Sequence, residues 1–118
     1  MLTKYRYLVT QPHLNSHGTL HGGILMKWVD EACGMEARLL TGKLCATRHM
    51  RHVDFIATGR IGDIIEISVR HLRTGNTSIA FDATVRNALG GVLARFEEII
   101  FVAVDKDHKA VVIKNEEK

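Results

Sequence analysis

The sequence predicts an α+β domain in which one long helix lies against an antiparallel sheet. Three observations carry this. Apolar residues recur at helical spacing through Leu20–Leu40. One strand-like run precedes that helix and four follow it. The junctions between the last three runs are short enough for hairpins, which forces antiparallel pairing. At 118 residues the chain is one domain, 1–118, with the charged tail Lys114–Lys118 expected to fray.

Each element has its own signal. Lys4–Thr10 is rich in Tyr and Val and reads as the first strand. Gln11–Gly18 holds the only proline, Pro12, and reads as a loop. Placed at 100° per residue, Lys27, Glu31 and Arg38 share one side of the helix. Ile24, Leu25, Trp28, Val29, Ala32, Cys33, Met35, Leu39 and Leu40 fill a broad opposite arc. An arc that wide predicts a largely enclosed helix, about 30 Å long. Gly42 terminates it. Leu44–Ile56 is the second strand and Asp63–Arg73 the third, with Ile65, Ile67 and Val69 on one face. Thr77–Ala88 is the fourth, alternating Ile79, Phe81, Ala83 and Val85 with polar residues. Val92–Asp105 is the fifth; its Ile99–Val102 is apolar on both faces and predicts cover on both sides, the second supplied by a partner subunit or by the sheet's own curvature. Glu36 points into the middle of the apolar arc, so a partner is expected from Arg48, His49, Arg51 or His52.

Composition narrows the function. Hydrophobic residues are 46% and charged residues 25%, which excludes a disordered chain. No apolar run approaches the roughly 18 residues of a membrane helix, so no membrane partner is expected. The start lacks the apolar core of a secretory signal. Cys33 and Cys45 form no CxxC pair and read as reduced thiols, which points to the cytoplasm. The net charge of +3 is spread among acids without a basic block, so a nucleic-acid partner is not expected. His13, His17 and His21 are spaced by four, but they precede the helix and do not make a metal face. Ser16 and Ser78 have no GxSxG setting.

The stretch Asn15–Asp30 carries the chemistry. It delivers a polar, glycine-containing loop into the N-terminus of the helix. The free N–H groups of a first helical turn stabilise negative charge, as an oxyanion hole for acyl transfer requires. Gly22 and Gly23 stand at that turn and would let a reacting group approach closely. Asp30 follows seven residues later at the edge of the apolar arc. A partly desolvated carboxylate there is a candidate general base or nucleophile, or else the partner of a neighbouring Lys or Arg.

These residues resemble the hotdog-fold acyl-CoA thioesterases. The likeness lies in the N-x-x-G-x-x-x-G-G loop at Asn15, Gly18, Gly22 and Gly23, and in Asp30. It continues through Val53–Asp54–Phe55, Gly62–Asp63, the turn Gly75–Ser78 and the closing Phe101–Asp105. Where the family commonly has a proline three residues after the Phe, this chain has Thr58. The resemblance implies a five-stranded antiparallel sheet wrapped around one long central helix. It implies hydrolysis of an acyl-CoA to a free acid and CoA. Asp30 would be the catalytic acid residue, Gly23 or Gly22 the N–H donor to the thioester carbonyl, and Asn15 the residue orienting nucleophile or thioester. The site would lie at a homodimer interface, in a dimer, a tetramer or a hexamer built as a trimer of dimers. No metal or redox cofactor is implied, coenzyme A being part of the substrate. Its phosphates need cations and N–H groups, for which Arg73, Thr74, Gly75, Asn76, Thr77, Ser78 and Arg60 are the candidates, with Arg86 beside them. Two other functions share this pocket: a thioesterase for acyl-carrier protein, and a non-catalytic module that binds acyl-CoA.

Overall fold

A computed structural model describes residues 2–113; the expected fraying of Lys114–Lys118 lies outside them. The elements run β1 (Leu2–Leu8), a short 3-10 turn (Gln11–His13), α1 (Gly22–Thr41), β2 (Cys45–Phe55), β3 (Ile64–Thr74), β4 (Ser78–Asn87) and β5 (Val92–Ala103). All five strands join one antiparallel sheet in the order β1-β3-β4-β5-β2. Every predicted element is present, with ends moved by about two residues. The helix starts later than predicted because Leu20 is held in an extended bridge with Leu14, and its N–H donates to the Gly59 carbonyl at 2.8 Å.

The sheet's alternation decides what the helix meets. Ile65, Ile67 and Val69 of β3, Ile79, Phe81, Ala83 and Val85 of β4, and Phe96, Ile99 and Phe101 of β5 are all buried. Leu25, Trp28, Val29, Ala32, Cys33 and Ala37 of α1 join them in one core. The i, i+4, i+7 spacing puts these six on one stripe. Trp28 stacks on Tyr7 of β1 at 4.8 Å, and the His13 ring meets its edge at 4.8 Å. Burial pushes the Cys33 thiol up to about 12, with the Asp30 charge adding to it, so this cysteine is an inert core residue.

Three expectations are corrected. The helix is not largely enclosed: Met35 is 45% exposed and Leu39 is 74% exposed. A single five-stranded sheet reaches only one side of a helix, so the far part of the apolar arc stays uncovered. For the same reason Ile99 and Phe101 are buried while Ile100 and Val102, on the outer face of β5, are only half-buried, so the sheet's own curvature does not supply the second cover. Glu36 takes neither Arg nor His from β2; the Tyr5 hydroxyl donates to it at 2.8 Å. β1 lies on the opposite edge of the sheet from β2, and Glu36 leans toward β1.

The outer face of the sheet is a charged layer. Glu98 lies between Arg51 (3.1 Å) and Arg73, and Glu66 lies between Arg6 (2.9 Å) and Lys4 (3.8 Å). Both carboxyls are held below their ordinary range, chiefly by the hydrogen bonds from Arg73 and Arg6. No helix of the described residues is long and apolar enough to cross a membrane.

Candidate active site

Asp30 projects from the third turn of α1 on the side that faces β2. The inward residues of β2 near it are Cys45 and Thr47, because strand alternation turns every second side chain toward the helix. Thr47 pairs with Phe101 of β5, and its hydroxyl donates a short hydrogen bond to Asp30 Oδ1. A register irregularity in β2 between Thr47 and His49 follows directly. Bulges of this kind re-aim side chains at the edge of a sheet. The Asp30 Oδ2 atom has no hydrogen-bond partner among the described residues.

Asp30 and Thr47 open onto a cavity of about 880 Å³. Gly34, Met35 and Leu39 of α1, Tyr7 of β1, Cys45 of β2 and Phe101 of β5 supply its apolar walls, with Glu31 and Arg38 at the rim. Burial raises the Tyr7 phenol, with the Glu31 charge adding to it, so the ring enters this wall neutral. The Asp30 salt bridge considered from sequence is not formed; Lys27 pairs with Glu31 instead, at 3.7 Å. The arrangement is a hydrogen-bonded carboxylate at one end of an apolar groove.

The Asn15–Gly23 loop is built for rigidity. Asn15 Oδ1 accepts from the N–H groups of His17 (2.9 Å) and Thr19 (3.1 Å), and Asn15 N–H donates to the Thr19 carbonyl at 2.8 Å. Gly18 closes the turn at φ +80°, a conformation that favours glycine. His21 caps the helix, its Nδ1 accepting from Gly23 N–H at 2.9 Å. In this state the Gly23 donor expected for a thioester oxygen is occupied by the chain's own imidazole. The neighbouring Gly22 packs beside the Phe55 ring. Neither Asn15, Gly22 nor Gly23 lines the Asp30 cavity. Eight residues of helix, about 12 Å of rise, separate Gly22 from Asp30.

The residues expected to hold phosphates are also apart. The Arg73–Ser78 turn lies at the C-terminal end of α1, tied down by a Gly75 N–H bond to the Ser78 carbonyl at 2.7 Å. Arg60 lies at the other end, in the loop that meets Leu20. The Arg73 guanidinium is engaged by Glu98 on the outer face. His13, His17 and His21 each serve the loop or the helix start, and no group of three potential metal ligands occurs among the described residues.

Thr47, Tyr7 and Gly34 were not singled out from sequence. Period-two alternation through Cys45 and Thr47 was the available signal for the threonine. Nothing in one dimension says that this strand edge meets Asp30.

Comparison with known proteins places the chain in a family. A model of the thioesterase superfamily matches residues 17–94, and the chain belongs to that superfamily. Acetyl-coenzyme A thioesterase of Rattus norvegicus is 35% identical over 74 residues, which is 63% of this chain and 13% of the rat protein. The chain thus spans only a small part of that relative's length. Among solved structures, the hexameric thioesterase of Yersinia pestis superposes with a TM-score of 0.85 at 22% identity, covering 94% of this chain and 93% of that one. The acyl-CoA hydrolase of Staphylococcus aureus, solved with butyryl coenzyme A and coenzyme A, gives 0.84 at 24%, covering 94% and 70%. Aspartate-to-alanine and threonine-to-alanine mutants of the same enzyme also match. The fold is therefore the hotdog fold of the acyl-CoA thioesterases, as the resemblance implied.

Proposed function

We propose that this protein hydrolyses acyl-CoA thioesters to a free acid and CoA. One observation carries the reading: the Asp30 carboxylate, held by the Thr47 hydroxyl, stands at the end of an apolar cavity. Hydrolysis needs a base or nucleophile beside an apolar surface for the acyl chain, and this arrangement supplies both. Names among the relatives and structural neighbours support the substrate class. The Staphylococcus aureus mutants add a parallel. Their altered aspartate and threonine are 17 positions apart, the separation of Asp30 and Thr47.

Thr47 fixes Oδ1 of Asp30, which leaves Oδ2 to take a proton from water or to attack the thioester carbonyl. The carbonyl oxygen would be polarised by N–H groups of a helix start, Gly22 or Gly23. For Gly23 the His21 ring must first swing away from the cap. Asn15 would hold the loop that presents them. These donors belong to a second subunit in this reading. β2 is an edge strand, and an antiparallel pairing of two β2 strands would set the Thr47 end of one against the Phe55 end of the other. Phe55 lies beside Gly22. A homodimer thereby completes each site from two chains, and hexamers such as that of Yersinia pestis fit the same unit.

The test is release of free thiol from acetyl-, hexanoyl- and palmitoyl-CoA. Asp30→Asn should lower kcat by about 10²–10⁴-fold, the range of a positioned acid–base group, while substrate still binds. Retention of more than about a tenth of wild-type turnover would remove Asp30 from the mechanism.

A further inference from the structure

The groove that leaves Asp30 runs along one stripe of α1. Gly34, Met35 and Leu39 stand four, five and nine residues after Asp30, and all three line it. On the sheet side the wall passes from Thr47 to Cys45, with Phe101 paired to Thr47 and its ring against Gly34. Met35 and Leu39 are uncovered by their own chain although both are large and apolar.

Gly34 is the telling position. Glycine inside a helix is the second-worst helix former, and alanine would serve the helix better. A Cβ built there would sit 3.5 Å from the Phe101 ring, which is ordinary contact. A methyl would therefore fit, but any longer side chain must fill the groove or displace Phe101. The glycine keeps the passage open at the first turn beyond Asp30.

We infer that this groove takes the acyl chain, that Gly34 sets how long a chain can pass, and that acyl groups of about eight to ten carbons are the preferred class. The inference rests on the acyl-CoA reading above. Nine residues of helix from Asp30 to Leu39 rise about 13 Å. An extended alkyl chain advances about 1.3 Å per carbon, from tetrahedral bonds of about 1.5 Å. The apolar stretch therefore ends at Leu39 after roughly ten carbons, and open solvent follows. Each methylene buried against Met35, Leu39 and Phe101 should improve kcat/KM about fourfold until the wall ends.

The experiment is kcat/KM for acetyl-, butyryl-, hexanoyl-, octanoyl-, decanoyl- and palmitoyl-CoA, in wild type, Gly34→Leu and Leu39→Gln. Wild type should climb to octanoyl or decanoyl and then level off. Gly34→Leu, which favours the helix, should lower the decanoyl-to-acetyl ratio at least tenfold. Leu39→Gln, at an exposed site, should lower it several-fold. Ratios unchanged in both variants would overturn the groove assignment, as would a Leu39→Gln effect confined to oligomeric state. If no acyl-CoA is hydrolysed, the catalytic reading fails, and calorimetric binding of the thioether S-decyl-CoA still decides the groove. Gly34→Leu should weaken that binding at least tenfold, and equal affinity would overturn the proposal.

Discussion

Thr47 and Asp30 meet through a single hydroxyl, and that contact has a measurable consequence. If Thr47 fixes the carboxylate, Thr47→Ala should lower kcat by roughly 10–100-fold with little change in KM, the cost of a misaligned reacting group. Thr47→Ser keeps the hydroxyl and should restore most of the loss. Equal losses in both variants would make the threonine a packing residue only. At the outer face, Glu98 offers a pH test. Its carboxyl lies below its ordinary value of 4.5, first through the Arg73 hydrogen bond, against an opposing desolvation. A lowered folded-state value means that the stabilisation is complete above 4.5 and is lost as pH falls through the lowered value. The melting temperature of wild type should therefore drop below about pH 4.5. Glu98→Gln should be less stable at neutral pH and should lose less on acidification; parallel curves would show that the ion pairs contribute nothing.

Among the elements, α1 is defined at both ends by its own residues. His21 supplies the N-cap, and Gly42 ends the helix at φ +71° with its N–H on the Arg38 carbonyl at 2.9 Å. Nothing lies within 4 Å of a Cβ placed on Gly42, so Gly42→Ala should cost only the left-handed conformation, roughly 1 kcal/mol. Thermal melting should register several degrees, whereas Gly91→Ala, equally open and at ordinary φ, should not move. β2 is one of the two edge strands, β1 being the other. It is pinned on one side by β5, carries an irregularity after Thr47, and offers its other edge unpaired. The smoothly alternating Ser78–Val85 lies in central strand β4 and offers no free edge. Of the two free edges β2 is the longer, 11 residues against 7 for β1, with Arg48, His49, Arg51 and His52 exposed along it.

For the whole molecule, the prediction concerns assembly. The single chain leaves the β2 edge, Met35 and Leu39 uncovered and holds Asp30 about 12 Å along the helix from Gly22. Light scattering should give a dimer or a multiple of it. Asn15→Ala and Asp30→Asn subunits, each impaired alone, should regain partial activity when co-refolded, because mixed dimers contain one site with both residues intact. A fully active monomer, or no rescue on verified mixing, would overturn the shared site. The order of elements, the C-terminal end of the helix and the inward face of the central strands were legible in the sequence, because periodicity and glycine stops act through local geometry. Asp30 was legible too, as a carboxylate beside an apolar arc. Thr47, the Tyr5–Glu36 bond and the separation of Arg60 from Arg73 were not. They depend on which strands become edges and on which side of the helix each edge passes. Strand order follows from the packing of the whole sheet around the helix, which no local pattern encodes. How much of the helix would be covered was misjudged for the same reason. Side-chain character says what would gain by burial, and only the closed sheet decides what is left to a ligand or a second chain.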